Sequence, residues 1–136
     1  TGTALTQQQT RSAPAGWPGS LPEFLVYRAL ERLGLQDGVD FTYQSPQFGG
    51  RLTRGGLILD FMFNNPPDLA INVQGTFFHF EKGGTVIARD VLARAQLAGE
   101  GITLIFIDEE DAMEDADRFV RAALRYQDLS RLGRGA

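Results

Sequence analysis

The residue with the most unusual setting in this sequence is a carboxylate, Asp60, inside the apolar run of residues 57–63. Further along, residues 74–79 pass through a glycine and two aromatic residues to the only histidine of the chain. A carboxylate offers oxygen atoms to a hard cation, and an imidazole can transfer a proton near neutral pH. If the turn after the apolar run forms a hairpin, Asp60 projects on the same face as Asn72 and Gln74. One carboxylate, two amides and a nearby imidazole then meet at the strand ends.

Each of these residues also has a purely structural interpretation. A buried carboxylate costs several kcal/mol unless it is paired, so Asp60 is either a metal ligand or one half of a salt bridge. The arginines available for that salt bridge are Arg51, Arg54 and Arg89. His79 is either a functional imidazole or an ordinary half-buried ring among the phenylalanines beside it.

A helix is expected before the first strand. Ser20 and Glu23 have the spacing of a capping box, which predicts a helix from Ser20 to about Gly34. Its periodicity predicts four buried side chains: Phe24, Leu25, Leu30 and Leu33. The cap accounts for Glu23 without any metal.

The remaining elements follow from alternation, apolar runs and turn residues. Strands are predicted at residues 41–44, 57–63, 69–74 and 102–107, and helices at residues 85–98 and from the acidic segment 108–117 to about Leu129. The third strand alternates, with Leu69, Ile71 and Val73 on one face. Because the last strand follows a crossover helix, this order predicts an α/β fold with a mixed central sheet of about four strands flanked by helices.

The chain has the length of a single domain. Its 136 residues include a polar N-terminal stretch, residues 1–19, that predicts an extended or disordered arm with Trp17 as its one apolar anchor. Residues 20–129 form the predicted domain, and residues 130–136 a C-terminal tail. No apolar stretch approaches the roughly 20 residues of a membrane span, so we expect a soluble protein.

Composition excludes several kinds of site. The chain contains no cysteine, which rules out disulfides and thiolate metal sites and fits a cytoplasmic setting. A single histidine cannot form a multi-histidine metal site within one chain. The net charge of −4 argues against a stand-alone, high-affinity nucleic-acid binder, so any contact with DNA must come from a local basic patch.

The order of these features resembles the PD-(D/E)XK nuclease superfamily. The resemblance lies in a first helix that carries Glu23, a strand that ends in Leu-Asp-Phe around Asp60, and a strand that ends in Asn-Val-Gln-Gly at residues 72–75. Within that superfamily, residues 74–79 are similar to the His-Gly-Cys-Phe-Trp-His stretch of the very-short-patch-repair endonucleases. A later Arg-Asp pair, a Leu, a Gly and an apolar strand follow the same plan in residues 89–107. The resemblance spans residues 20–107.

The resemblance implies a role for each matching residue. It implies that Asp60 and the main-chain carbonyl of Val73 hold Mg²⁺ or Mn²⁺, that His79 moves the proton at the scissile phosphate, and that Glu23 lies near the site. Gln74 takes the place of a histidine in the repair endonucleases. It further implies that two aromatic side chains, Phe77 and Phe78, insert between DNA bases. Arg51 and Arg54, which lie in a loop between two pairs of glycines, are also expected to contact DNA.

Two positions depart from the superfamily pattern. The (D/E)-x-K motif falls on residues 72–74, where Asn72 lacks the carboxylate charge and Gln74 cannot supply the ammonium group. One hypothesis is therefore a Mg²⁺-dependent endonuclease that cleaves or nicks DNA. The alternative is a catalytically inactive nuclease fold that serves as a structural or binding module, for example in a phage or mobile-element assembly, where it would be virion-associated. In that case the N-terminal arm would contact a neighbouring protein.

Overall fold

The computed structural model describes residues 13–43, 59–75 and 84–131, with the side chains of residues 84–90 left out. The elements in chain order are α1 (Leu21–Arg32), β1 (Phe41–Tyr43), β2 (Phe61–Phe63), β3 (Leu69–Gln74), α2 (Gly84–Gly99), β4 (Thr103–Asp108) and α3 (Glu109–Leu124). None of the described helices combines the length and apolar character that a bilayer span requires.

The sheet contains four strands in the order β1-β2-β3-β4. β1 pairs antiparallel with β2, and β2 pairs antiparallel with β3 across the Asn64–Pro67 turn. β3 and β4 are parallel, because α2 carries the chain back over the sheet between them. The predicted α/β class, with a mixed sheet flanked by helices, is confirmed.

Apolar side chains bury both faces of the sheet. One face packs against α1 and α3, and its buried cluster includes Val26, Leu30, Phe41, Phe61, Leu69, Ile71, Ile105, Ile107 and Val120. The other face packs against α2 through Leu59, Ala70, Leu97, Leu104 and Phe106. The alternation predicted for β3 is thus confirmed, since its odd positions face α1 and α3 and Ala70 faces α2.

The N-terminus of α1 has the predicted cap. Ser20 has an extended backbone, and its side chain accepts a hydrogen bond of 3.3 Å from the backbone N–H of Glu23. Gly34 follows the helix with a φ of +88°, a conformation that favours glycine. The prediction that Leu33 is buried was wrong, because it is the C-cap residue and its side chain is 40% exposed.

Two other predicted elements are shorter in the structure. Within the described part of the predicted strand 57–63, only Phe61–Phe63 is extended and paired, and Asp60 lies at a bend before it. The last helix ends at Leu124 and not near Leu129, because Arg125 caps it and Tyr126 has a positive φ of 63°.

The described part of the N-terminal arm lies against the domain. The Trp17 ring lies 4.6 Å from that of Tyr43, 5.0 Å from Tyr27 and 5.2 Å from Phe24, measured between centroids. Its indole N–H donates to the carbonyl of Ser20 at 3.1 Å. Trp17 therefore anchors this segment on its own chain.

The C-terminal segment closes the outer edge of β4. The backbone N–H of Phe106 donates to the Asp128 carboxylate at 2.9 Å, and the N–H of Ser130 donates to the same carboxylate at 2.9 Å. The N–H of Arg131 donates to the buried carboxylate of Asp108 at 3.1 Å. Side chains here replace the main-chain partners that an edge strand lacks.

Replacing Asp128 by Ala should destabilise the fold by about 1–3 kcal/mol, because the N–H of buried Phe106 loses its acceptor. Urea unfolding measures the change. The control is Glu31→Ala, which breaks an exposed ion pair with Arg28 and should cost at most about 0.5 kcal/mol. Equal effects of the two substitutions would contradict the proposed role of Asp128.

Candidate functional site

Asp60 lies where β2 begins, at a bend in the chain. Leu59, directly before it, is fully buried in the cluster on the α2 side of the sheet. Phe61, directly after it, is buried on the α1 side. In a regular strand Leu59 and Phe61 would share a face, so the bend interrupts the alternation at Asp60.

Asp60 and β3 exchange two hydrogen bonds at this bend. The backbone N–H of Asp60 donates to Oδ1 of Asn72 at 2.8 Å, and the backbone N–H of Val73 donates to Oδ2 of Asp60 at 2.8 Å. Each bond joins one backbone group to one side chain. Together they satisfy donors that the bend would otherwise leave unpaired, and they bind the Asp60 carboxyl group to β3.

The second carboxylate of the site comes from the first turn of α1. Glu23 is half-buried, and its Oε1 accepts a hydrogen bond from the hydroxyl of Tyr43 on β1. Tyr43 pairs with Phe61, the residue after Asp60, so this bond forms one strand away from Asp60. The helix cap uses the backbone N–H of Glu23, which donates to the Ser20 side chain. The carboxylate of Glu23 makes a separate contact, with the Tyr43 hydroxyl.

Burial and a neighbouring charge act together on Asp60. Burial, with a further contribution from the negative charge of Glu23, raises the pKa of Asp60 from 3.8 to about 8, and the hydrogen bond from Val73 opposes the rise. The negative charge of Glu23 on α1 therefore acts on the carboxyl group of Asp60. The face that the sequence predicts Asp60 to share with Asn72 and Gln74 stays a prediction; the described contact with Asn72 is made by the backbone N–H of Asp60.

No lysine or arginine in the described part of the chain forms a salt bridge with Asp60. Two of the arginines considered for such a pair, Arg51 and Arg54, lie outside the described residues, and the side chain of Arg89 does too. Among the described residues, the charge of Glu23 acts on buried Asp60 and no described salt bridge to Asp60 compensates it. Such a pair favours either a shared proton or a bound cation.

Gln74 ends β3 in a different environment. Its side chain is 3% exposed, and its Oε1 has no hydrogen-bond partner among the described residues. It pairs in register with Asp108, at the carboxyl ends of the two parallel strands. No described contact joins Gln74 to Asp60 or Glu23, so the structure brings together only part of the predicted site.

The other predicted site residues are not among those described. His79, Phe77 and Phe78 belong to residues 76–83, and Arg51 and Arg54 belong to residues 44–58. Their predicted roles in proton transfer and DNA contact stay predictions.

The described residues provide a partial ligand set for a hard cation. Val73 directs its N–H towards Asp60, and in a strand the carbonyl of a residue points to the same side as its N–H. The Val73 carbonyl therefore points to the side of β3 on which Asp60 lies, and carboxylate and carbonyl oxygens are the donors that Mg²⁺ and Mn²⁺ prefer. No cluster of three or more acidic or histidine side chains occurs among the described residues. Comparison with protein-family models, curated proteins and solved structures finds no match to this chain.

Sequence reasoning missed Tyr43. Its predicted strand contained no charged residue, and nothing local indicates that its hydroxyl meets a carboxylate 20 residues earlier in the chain. The one hint in the sequence of a contact near Tyr43 was Trp17, a single aromatic residue in a polar segment, which packs on the Tyr43 ring.

Ionisation of Asp60 should destabilise the fold as pH rises. The unfolded chain releases this proton near pH 3.8, whereas the folded chain keeps it up to a pH of about 8. Between these values the folded state binds more protons, so the free energy of unfolding falls with increasing pH. Asp60→Asn cannot ionise and still offers Oδ1 to the N–H of Val73. It should flatten this slope and exceed the wild type in stability by at least about 1 kcal/mol near pH 8. Urea unfolding across the range tests this, and parallel pH profiles for the two proteins would contradict it.

Proposed function

We propose that this chain is an endonuclease-like domain that cleaves or nicks DNA phosphodiester bonds with the help of Mg²⁺ or Mn²⁺. The observation that carries the proposal is a buried carboxyl group, Asp60, that is held by β3 and acted on by the charge of Glu23, with no salt bridge to Asp60 among the described residues. In the free protein burial, with a further contribution from the charge of Glu23, raises the pKa of Asp60. A divalent cation would relieve the repulsion between the two groups.

The ligands of that cation would be Asp60, Glu23 and the carbonyl of Val73. A bound divalent cation supplies Lewis-acid stabilisation of phosphoryl charge and a lower pKa for water. Asp60 is well suited to a fixed position, because its Oδ2 accepts from Val73 and its own N–H is held by Asn72. Catalytic groups need such support from their surroundings to keep one geometry.

The residues proposed for proton transfer and for contact with the substrate lie outside the described ranges. We propose that His79, the only imidazole of the chain, activates the nucleophile or protonates the leaving group. Arg51 and Arg54 would contact phosphates, and Phe77 and Phe78 would stack on bases. With a net charge of −4, the protein would bind DNA through this local basic surface.

The resemblance to the PD-(D/E)XK superfamily and to the very-short-patch-repair endonucleases supports the same proposal. The mixed sheet with helices on both faces fits it, and so do Asp60 at the start of β2 and Glu23 on the first helix. Asn72 stands where the superfamily has a carboxylate, and in this chain its amide oxygen accepts from the N–H of Asp60. A carboxylate there would bring a third negative charge close to Asp60.

The direct test is cleavage of supercoiled and branched DNA with Mg²⁺ or Mn²⁺. The wild type should nick DNA, and Asp60→Asn, which keeps the bond to Val73, should abolish the metal-dependent reaction. His79→Ala should lower the rate about 100-fold or more, which is the usual contribution of a general acid or base. The control, Asp117→Asn, alters a carboxylate of α3 that pairs with Arg32 at the C-terminal end of α1, and it should leave the rate unchanged. Equal rates for all four proteins would refute the assignment.

A second candidate function is a catalytically inactive nuclease fold that acts as a binding or structural module. One observation favours it: Asp60 and Asn72 both form hydrogen bonds that hold β2 against β3, which suffices to explain their presence. Calorimetry separates the two candidates. The endonuclease should bind Mn²⁺ with heat that Asp60→Asn removes, whereas an inactive module should give no such heat.

Asn72→Asp should strengthen cation binding. Asp can still accept from the N–H of Asp60, so the fold should persist, and the added charge should raise Mn²⁺ affinity about 10-fold because affinity grows with the charge of the ligand set. Without cation the variant should melt at a lower temperature than the wild type, since like charges lie close together. Asn64→Asp adds the same charge in the exposed turn of the hairpin and is the control. An unchanged affinity in Asn72→Asp would show that residue 72 lies away from any cation.

A further inference from the structure

We propose that Tyr43 is a positioning residue that fixes the Glu23 carboxylate for the proposed site, that Trp17 holds the Tyr43 ring, and that Gly19 leaves room for the bond between Tyr43 and Glu23. The inference rests on the proposed function, because Glu23 and Asp60 are the two side-chain ligands of the proposed cation site. It adds a part of the site that lies outside the superfamily motif and includes the segment before α1.

The hydroxyl of Tyr43 fixes one oxygen of Glu23. It donates to Oε1, and hydrogen bonds to a charged group are the stronger class of such bonds. A glutamate in the first turn of a helix can otherwise rotate freely about its terminal torsion. With one oxygen held from β1, the carboxylate keeps one orientation while its charge acts on Asp60.

Aromatic packing holds the Tyr43 ring. Its centroid lies 4.6 Å from Trp17 on one side and 5.2 Å from Phe61 of β2 on another. Trp17 is itself bound by contacts with Phe24 and Tyr27 and by the hydrogen bond from its indole N–H to Ser20. The ring therefore cannot swing away from Glu23 unless the segment before α1 is released.

Gly19 leaves room for the bond between hydroxyl and carboxylate. A Cβ atom built at this position would lie 2.6 Å from Oε1 of Glu23, and closer still to the Tyr43 hydroxyl oxygen. It would also lie 3.2 Å from the indole nitrogen of Trp17. Real Cβ contacts are essentially never shorter than 3.0 Å, so a side chain at residue 19 requires Tyr43 and Glu23 to shift. The backbone of the N-terminal segment thus covers the bond on the side away from the sheet core.

The same aromatic cluster offers a matched comparison. The hydroxyl of Tyr27 also donates to a carboxylate, Oδ2 of Asp37, at 3.0 Å, but that carboxylate is not part of the proposed site. Tyr27→Phe and Tyr43→Phe each remove one hydroxyl and keep the ring. A purely structural role of the hydroxyls predicts similar effects, whereas a positioning role predicts an effect of Tyr43→Phe alone on the site.

The experiment measures Mn²⁺ binding by calorimetry on the full chain for the wild type, Tyr43→Phe, Gly19→Ala and Tyr27→Phe. Thermal unfolding of each variant verifies that it is folded. In parallel, carbon NMR follows the side-chain carboxyl resonance of Glu23, assigned with Glu23→Gln. We expect Tyr43→Phe and Gly19→Ala to weaken Mn²⁺ binding about 10-fold or more, as loss of supporting contacts around metal ligands usually does. Both should shift the Glu23 resonance, and Tyr27→Phe should change neither quantity.

Two failures are distinguishable. If the wild type gives no Mn²⁺ heat, the proposed cation site fails and this inference fails with it. If the wild type binds Mn²⁺ and Tyr43→Phe binds it within about twofold of that affinity, the positioning role alone is overturned and the cation site stands. A shift of the Glu23 resonance without loss of affinity would likewise overturn it, because the hydroxyl would then touch Glu23 without serving the site.

Discussion

The exchange of hydrogen bonds between Asp60 and β3 is the constraint on which the rest of this site depends. At the bend before β2, the chain can satisfy the N–H groups of Asp60 and Val73 only through side chains, and Asn72 and Asp60 provide them. The same bonds put a carboxyl group at the junction of β1, β2, β3 and α1, where burial and Glu23 make its charge costly. Asp60 thus both accepts a hydrogen bond that the hairpin needs and provides the carboxyl group whose pKa is raised.

This arrangement gives a physical reason for the uncharged residues at positions 72 and 74. Position 72 has to accept a hydrogen bond beside a carboxyl group that already repels another, and an amide does this without adding charge. Position 74 lies at the buried end of β3 next to Asp108, where a lysine would have to lose its hydration shell. The proposed site therefore depends on α1 and β1 for its second carboxylate and its orientation, and less on β3.

Local patterns in the sequence predicted the framework well. Alternation indicated β3, the capping box indicated the start of α1, and the apolar run at residues 102–107 indicated a strand buried on both faces. The failures concern places where a distant group decides the local backbone. The bend at Asp60 depends on Asn72, and the bond of Glu23 depends on Tyr43; neither partner is near in sequence. The early end of α3 had no glycine to mark it, because Tyr126 takes the positive φ.

A nearby chain segment contacts each outer strand of the sheet among the described residues. Along β1, the N–H of Gly38 donates to the carbonyl of Phe41 at 2.7 Å, in a short bridge between residues 37 and 41. Along β4, Asp128 takes the N–H of Phe106. Protected edges resist pairing with strands of other molecules, which is a common route to aggregation. These contacts leave fewer backbone groups open to a strand of another copy, whereas Val91 and Leu92 on α2 are exposed side chains.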